Sequence, residues 1–293
     1  MKIVFAISEV EELVKTGGLA DVGKALPLAL HSEGEDVAIV MPYYKSIADT
    51  FHLDTICDTQ TLFTEGKVYH FDVRALAWHG ITVYFVDYPE YFMRDGLYSN
   101  AYDAYEDNGE RFSFFSGAVL QTLQALSFTP DVIHCHDWHT AMLPYLLNHE
   151  RSGFFEQTKT VFTIHNAAFQ GVHSLEKIPF LRHHPHIFSQ VHGGYINMLQ
   201  TGIECASKVT TVSPNYADME RGNDGLFRME DGSIAPANAN VKVMSGMLEG
   251  SNVNAVDEMV DMISLQRHYE LQVKMMKQAE ELDTRGNQLL RIL

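Results

Sequence analysis

Residues 2–30 read KIVFAISEVEELVKTGGLADVGKALPLAL. Ile3, Val4, Phe5, Ala6 and Ile7 form a continuous apolar run, the pattern of a strand buried on both faces of a parallel sheet. Gly17 and Gly18 carry no Cβ and let backbone approach a ligand closely. From Leu19 the apolar residues fall at helical spacing (Leu19, Val22, Leu26, Leu30). The stretch therefore predicts strand, glycine loop, helix. Free N–H groups at the helix start, with Lys15 just before them, suit an anion such as a phosphate. Spacing alone equally allows an ordinary βα turn whose glycines only fix its shape.

Working outward, the same alternation repeats. Asp36–Met41 reads as a second buried strand ended by Pro42, and Val68–Ala77 with Ile81–Asp87 as a hairpin turning at His79-Gly80. Pro89–Ala104 is rich in Tyr, Asp, Asn and Gly and reads as a loop. Glu106–Ser127 is helical, with Phe112, Phe115, Val119, Leu123 and Leu126 on one side. Asp131–Cys135 is a short strand and Ala141–Leu147 a helix, while Thr160–Ile164 and Lys208–Val212 are two further strands. Strands alternating with helices imply an α/β fold built on a Rossmann-like, doubly wound parallel sheet, whose ligands bind beyond the carboxyl ends of the strands.

The composition sets bounds on function. The 293 residues are 46% hydrophobic and 20% charged, enough apolar surface for a real core. A net charge of −17 argues against nucleic acid or an anionic membrane as partner, since both need a basic face. Cys57, Cys135 and Cys205 lack paired or CxxC spacing and read as reduced, buried thiols of a cytoplasmic protein. No uncharged run approaches the ~20 residues of a membrane span, and the chain opens on a strand rather than a leader.

The text Lys15-Thr16-Gly17-Gly18-Leu19-Ala20-Asp21-Val22, followed by Ala25-Leu26-Pro27, resembles the N-terminal signature of bacterial glycogen synthases and plant starch synthases. These are retaining glucosyltransferases of the two-lobed GT-B fold that use ADP-glucose as donor and an α-glucan as acceptor. The resemblance covers residues 1–219 and implies the N-terminal, acceptor-side lobe, with Lys15, Thr16, Gly17 and Gly18 on the donor phosphates and no cofactor. In the family the nucleotide lies mostly on a C-terminal lobe, which supplies an Arg, a Lys and a Glu. No second βαβ series follows in this chain to carry them.

Two further motifs carry chemistry. His134-Cys135-His136-Asp137-Trp138-His139 holds three histidines and an aspartate, all metal-ligand types. On a strand, however, His134 and His136 share a face and Cys135 points away. The resembled family has the same text lining its cleft without metal, which implies that Asp137 and His139 place the acceptor or the sugar. Phe162-Thr163-Ile164-His165-Asn166 also follows a strand, and a neutral imidazole and an amide can hold sugar hydroxyls. The resemblance implies that His165 and Asn166 face the transferred glucose and, with Asp137, form the catalytic set. It also carries Tyr98, Tyr105 and Asn108, with Asp107 and Arg111, to the acceptor side. Phe169 departs from the Tyr many relatives have. His183, His184 and His186 read as exposed loop residues.

After Tyr216 the alternation stops. Residues 220–250 are polar and Gly-rich and read as a linker or short irregular strand. Residues 251–293 then read as one long amphipathic helix, with Val253, Val256, Met259, Met262, Leu265, Tyr269, Val273 and Met276 at three- and four-residue intervals. Leu248-Glu249-Gly250-Ser251-Asn252-Val253-Asn254, with Asp257 to Val260 and Arg267 to Glu270, resembles the C-terminal segment of flagellar basal-body rod proteins of the proximal type. A stripe that narrow needs a partner, either the lobe itself or a second copy. Three function classes follow: a glucosyltransferase or its acceptor lobe, a structural rod component of the flagellar basal body, or a gene fusion with neither function.

Overall fold

The computed structural model describes residues 1–212, apart from 65, 101, 102 and 185, and the backbone of a short hairpin at 219–221 and 227–229. The expected linker and tail helix over 220–293 otherwise lie outside the described residues.

In chain order the elements are β1 (Lys2–Ala6), α1 (Gly18–Ser32), β2 (Asp36–Pro42), α2 (Lys45–Thr50), β3 (Thr55–Thr64), β4 (Lys67–Trp78), β5 (Ile81–Asp87), α3 (Pro89–Phe92) and α4 (Asn108–Ala125). They continue as β6 (Val132–His136), α5 (Asp137–Thr140), α6 (Met142–His149), β7 (Lys159–Ile164), β8 (Val172–Ser174), α7 (Pro179–Arg182), β9 (Val191–His192), β10 (Tyr195–Asn197), α8 (Met198–Cys205) and β11 (Lys208–Thr211). The hairpin pairs β12 (Met219–Arg221) with β13 (Phe227–Met229).

Among the described residues eight strands form one sheet in the order β11-β7-β6-β1-β2-β5-β4-β3. The six from β11 to β5 are parallel, and β4 and β3 add an antiparallel edge. The fold is thus mixed α/β with a parallel-dominated sheet. The order reverses between β1 and β6, so the loops leaving these two strands diverge and open a crevice at their carboxyl ends. Continuous apolar runs give buried strands, as expected: Ile3 to Ala6 and Val37 to Met41 are all buried. The hairpin at His79-Gly80 is present, both residues having positive φ. The edge strand β3 is an addition; its half-exposed mixture of Thr, Asp, Gln and apolar residues gives little periodic signal.

Two helices differ from the expected one-sided stripe. In α1 the buried positions are Leu19, Ala20, Gly23 and Pro27, whereas Val22, Leu26 and Leu30 are only half-buried. Close approach explains the change, because a Cβ on Gly23 would stand 2.5 Å from the Glu9 carbonyl oxygen and 2.8 Å from Ile7 Cδ1. Small residues, not large ones, let α1 lie against the exit of β1. Helix α4 is buried almost all round, from Asn108 to Leu120, because it packs against β3, α5, α6 and α7 together. Its polar residues Asn108, Glu110 and Arg111 are therefore inside and bonded.

Of the three cysteines, all free, Cys135 is buried as expected but Cys57 and Cys205 are half-buried. Cys57 lies on the edge strand β3, where only one face is covered. No helix among the described residues is long and apolar enough to cross a membrane.

Candidate functional site

The crevice beside β1 is built around Glu9, which leaves the strand two residues after Ile7 and is buried. Its carboxylate accepts the Thr16 N–H, the Thr16 hydroxyl at 2.7 Å and the Gly17 N–H at 3.2 Å. The Tyr98 hydroxyl donates to it from the far side at 2.7 Å and stands 2.8 Å from Ser8 Oγ. This corrects part of the expectation of free amides at the glycine loop: the Thr16 and Gly17 N–H groups, just ahead of α1, are already satisfied by a carboxylate from the same chain, whereas the Gly18 N–H is not held by it. The exchange is physically reasonable, since an anion is favoured where helix-start donors converge. Lys15 is likewise engaged, at 2.5 Å from Asp21 and 3.6 Å from Glu11. A phosphate at this loop would have to displace these partners.

Beside β6 and β7 the arrangement is different. Strand β6 ends at His136, and Asp137 follows with φ of +54°, a left-handed conformation that Asp adopts more readily than most residues. The turn aims its carboxylate at the next strand's exit. Asp137 Oδ1 accepts the backbone N–H of His165 at 2.7 Å and of Asn166 at 3.3 Å. Burial pushes the Asp137 carboxyl up to about 6, against the two amides and with a small push from Glu9. His134 and His136 share a face, as strand geometry requires, with rings stacked at 4.2 Å. His136 Nδ1 lies 2.9 Å from His165 Nε2, and His134 Nε2 lies 2.6 Å from the Thr163 hydroxyl, itself 2.6 Å from that of Thr210. Burial lowers His134 and His165 to about 4 and His136 well below its ordinary value. The three rings are neutral near pH 7. The three histidines and Asp137 of the β6 motif do not converge on one point, and among the described residues no three His, Cys, Asp or Glu side chains form a metal-ligand set.

The acceptor-side residues fall into two groups. Tyr98 joins the halves of the site, its hydroxyl on Glu9 and its ring 4.5 Å from that of His139. His139 is buried between Tyr98, Phe112 and Trp138, its Nδ1 has no hydrogen-bond partner, and burial lowers it to about 3. Asn108 is buried too; it donates to the Tyr98 carbonyl at 2.8 Å and accepts from Arg111 at 2.6 Å. Tyr105 lies over the Arg111 and Arg94 guanidinium groups. Asn108 and Tyr105 thus hold the loop bearing Tyr98, whereas His165 and Asn166 stand half-exposed at the crevice, and Phe169 beyond them is 64% exposed. Sequence reasoning passed over Glu9 and His136 as roles. Glu9 had a signal, a carboxylate at the carboxyl end of the first strand directly before the glycine loop. His184 Nδ1 lies 2.9 Å from the Tyr145 hydroxyl, contrary to a purely exposed loop role.

Residues 2–230 match the family described as the starch synthase catalytic domain. The chain belongs to that family. Relatives of this starch synthase catalytic domain include the glycogen synthase of Photobacterium profundum, 43% identical over 236 residues, which cover 78% of this chain and 46% of the relative. The glycogen synthase of Vibrio cholerae is 44% identical over 218 residues, covering 73% and 45%. The chain spans about half the length of these relatives. Its fold matches the catalytic domain of starch synthase IV from Arabidopsis thaliana, solved bound to ADP and acarbose. That match has a TM-score of 0.61 and 29% identity, over 76% of this chain and 47% of that one. Residues 244–289 match a second family, the C-terminal region of flagellar basal body rod FlgEFG proteins.

Proposed function

We propose that residues 1–219 are the N-terminal, acceptor-side lobe of a GT-B glucosyltransferase that moves glucose from ADP-glucose to an α-1,4-glucan with retention. The observation that carries this reading is the Asp137 clamp at the switch of strand order. One carboxylate oxygen fixes the His165 and Asn166 main chain and leaves both side chains at the crevice. A neutral imidazole and an amide suit sugar hydroxyls, and oriented dipoles favour positive charge building on the sugar ring. On this reading Lys15, Thr16, Gly17 and Gly18 serve the diphosphate, Thr16 and Gly17 after Glu9 releases them and Lys15 after Asp21 does. His139, Tyr98, Tyr105 and Asn108 shape the acceptor side. A cytoplasmic setting fits the three free thiols.

A two-lobed transferase shares donor binding between its lobes, and residues 220–293 carry no second βαβ series. Each missing charge-assisted contact is worth about 1.5–3 kcal/mol, so several together remove several orders of magnitude of donor affinity. The 293-residue chain therefore gives no measurable glucose transfer from ADP-glucose to glycogen, while weak glucan binding persists. Transfer of labelled glucose is the test. Added C-terminal lobe of a related synthase restores a little turnover, and Lys15→Ala abolishes it; robust turnover by residues 1–293 alone would sink the expectation that donor binding is shared between two lobes.

The match over 244–289 favours a second reading for the tail. We infer that 251–293 forms a helix that docks or self-associates through its Met- and Val-rich stripe, with 220–250 as linker. Sedimentation of the full chain against one ending at Met219 tests it, and strictly monomeric behaviour of both at high concentration counts against self-association.

A further inference from the structure

His136 has no assigned role, yet its position restricts its neighbour. The ring is wholly buried and fixed between Phe5, at 5.7 Å and 17° between planes, and His134, at 4.2 Å and 27°. Nδ1 faces His165 Nε2 at 2.9 Å, and Nε2 is buried without a partner. A neutral imidazole has one ring N–H and one bare lone pair, so two arrangements can make the bond. In the first, His165 Nε2–H donates to His136 Nδ1. His136 must then carry its proton on Nε2, an N–H buried with nothing to accept it. In the second, His136 Nδ1–H donates to His165 Nε2 and the buried Nε2 is only a bare lone pair. An orphaned buried N–H is the rarer and costlier defect. The second arrangement wins.

His165 Nε2 is then an acceptor, and the ring's own proton sits on Nδ1. The main chain of His165 is held at the same time by Asp137. Consecutive residues at the end of β6 thus fix both the position and the tautomer of one half-exposed histidine, whose Nδ1 has no hydrogen-bond partner among the described residues. We propose that His136 is a positioning residue that sets the tautomer of His165, so that His165 offers an Nδ1–H donor to an acceptor oxygen of the ligand. That the oxygen is a glucan or glucose hydroxyl rests on the function proposed above; the tautomer does not.

The test is two-bond proton–nitrogen correlation of the full chain labelled with 15N-histidine, at pH 7.5, with peaks assigned by their loss in His136→Asn and His165→Asn. The expected spectrum has both His136 and His165 protonated on Nδ1 and bare on Nε2. A proton on His165 Nε2 overturns the proposal. His136→Asn keeps an N–H donor at similar reach and leaves His165 in the same tautomer. His136→Phe keeps a packing ring but no donor and gives a visible Nε2–H population at His165; an unchanged His165 pattern in a folded His136→Phe protein overturns the proposal. Adding maltohexaose shifts the His165 Nδ1 resonance. Absence of that shift, with the tautomers as expected, upholds the positioning role and overturns the glucan assignment instead.

Discussion

The two halves of the crevice are each organised by one buried carboxylate, and they differ in how far along the chain that carboxylate reaches. Glu9 gathers donors from Thr16 and Gly17, seven and eight residues on, with Tyr98 as a single distant partner. Asp137 gathers amides 28 and 29 residues on, from the exit of a neighbouring strand. The glycine-loop half is therefore a local device rimmed by surface charge, Lys15 with Asp21 and Glu11. The β6–β7 half is a long-range device surrounded by histidines, His136 buried and His134 and His165 half-buried. A local carboxylate shapes its own loop; a distant one ties two strand exits together. Damage to the second should spread further.

The sharpest way to break that contrast is Asp137→Ala. Two main-chain donors lose their acceptor in a part-buried place, each costing about 1–3 kcal/mol, so a loss of about 2–4 kcal/mol in urea unfolding is expected, with faster amide exchange over 165–170. Asp137→Asn keeps an acceptor oxygen and loses less. A wild-type stability for Asp137→Ala would show that the clamp holds nothing.

Acidification probes the same half next. Histidines lowered by burial (His134, His165 and His139, to about 4, 4 and 3) bind protons in the unfolded chain from about pH 6.5 but not in the folded one. Stability is full above that pH and falls as pH drops toward 4. Asp137, raised to about 6, acts oppositely: its contribution is full below its unfolded value and is lost as pH rises through 6. Three histidines outweigh one carboxyl, so the net slope is a loss of at least about 1 kcal/mol per pH unit between 6.5 and 4.5. Urea midpoints across that range measure it, and a flat profile would show the histidines to be more open than the structure places them.

On the local side, Glu9→Gln turns an amide group toward donors and should cost about 1–2 kcal/mol, with proteolytic nicking confined to 11–18. Nicking at 165–170 as well would merge the two halves into one unit. The smallest effect is expected at Lys15→Ala, whose exposed ion pairs exchange with solvent; its urea midpoint should stay within error of wild type.

What the sequence by itself determined is whatever depends on neighbours along the chain. The apolar runs of β1 and β2 announced buried strands. The glycine pair announced the start of α1, and strand periodicity put His134 and His136 on one face. Tertiary structure decided the rest, because hydrogen-bond satisfaction and burial are settled between elements. The reversal between β1 and β6 chose which strand exits form the crevice. Packing on several sides buried α4 all round and turned Asn108 and Arg111 into internal supports. The close approach of α1 to the exit of β1 put Gly23, rather than Val22 or Leu26, on the buried side. Glu9, buried three residues beyond the end of β1, took the Thr16 and Gly17 amides that spacing alone would have left to a ligand.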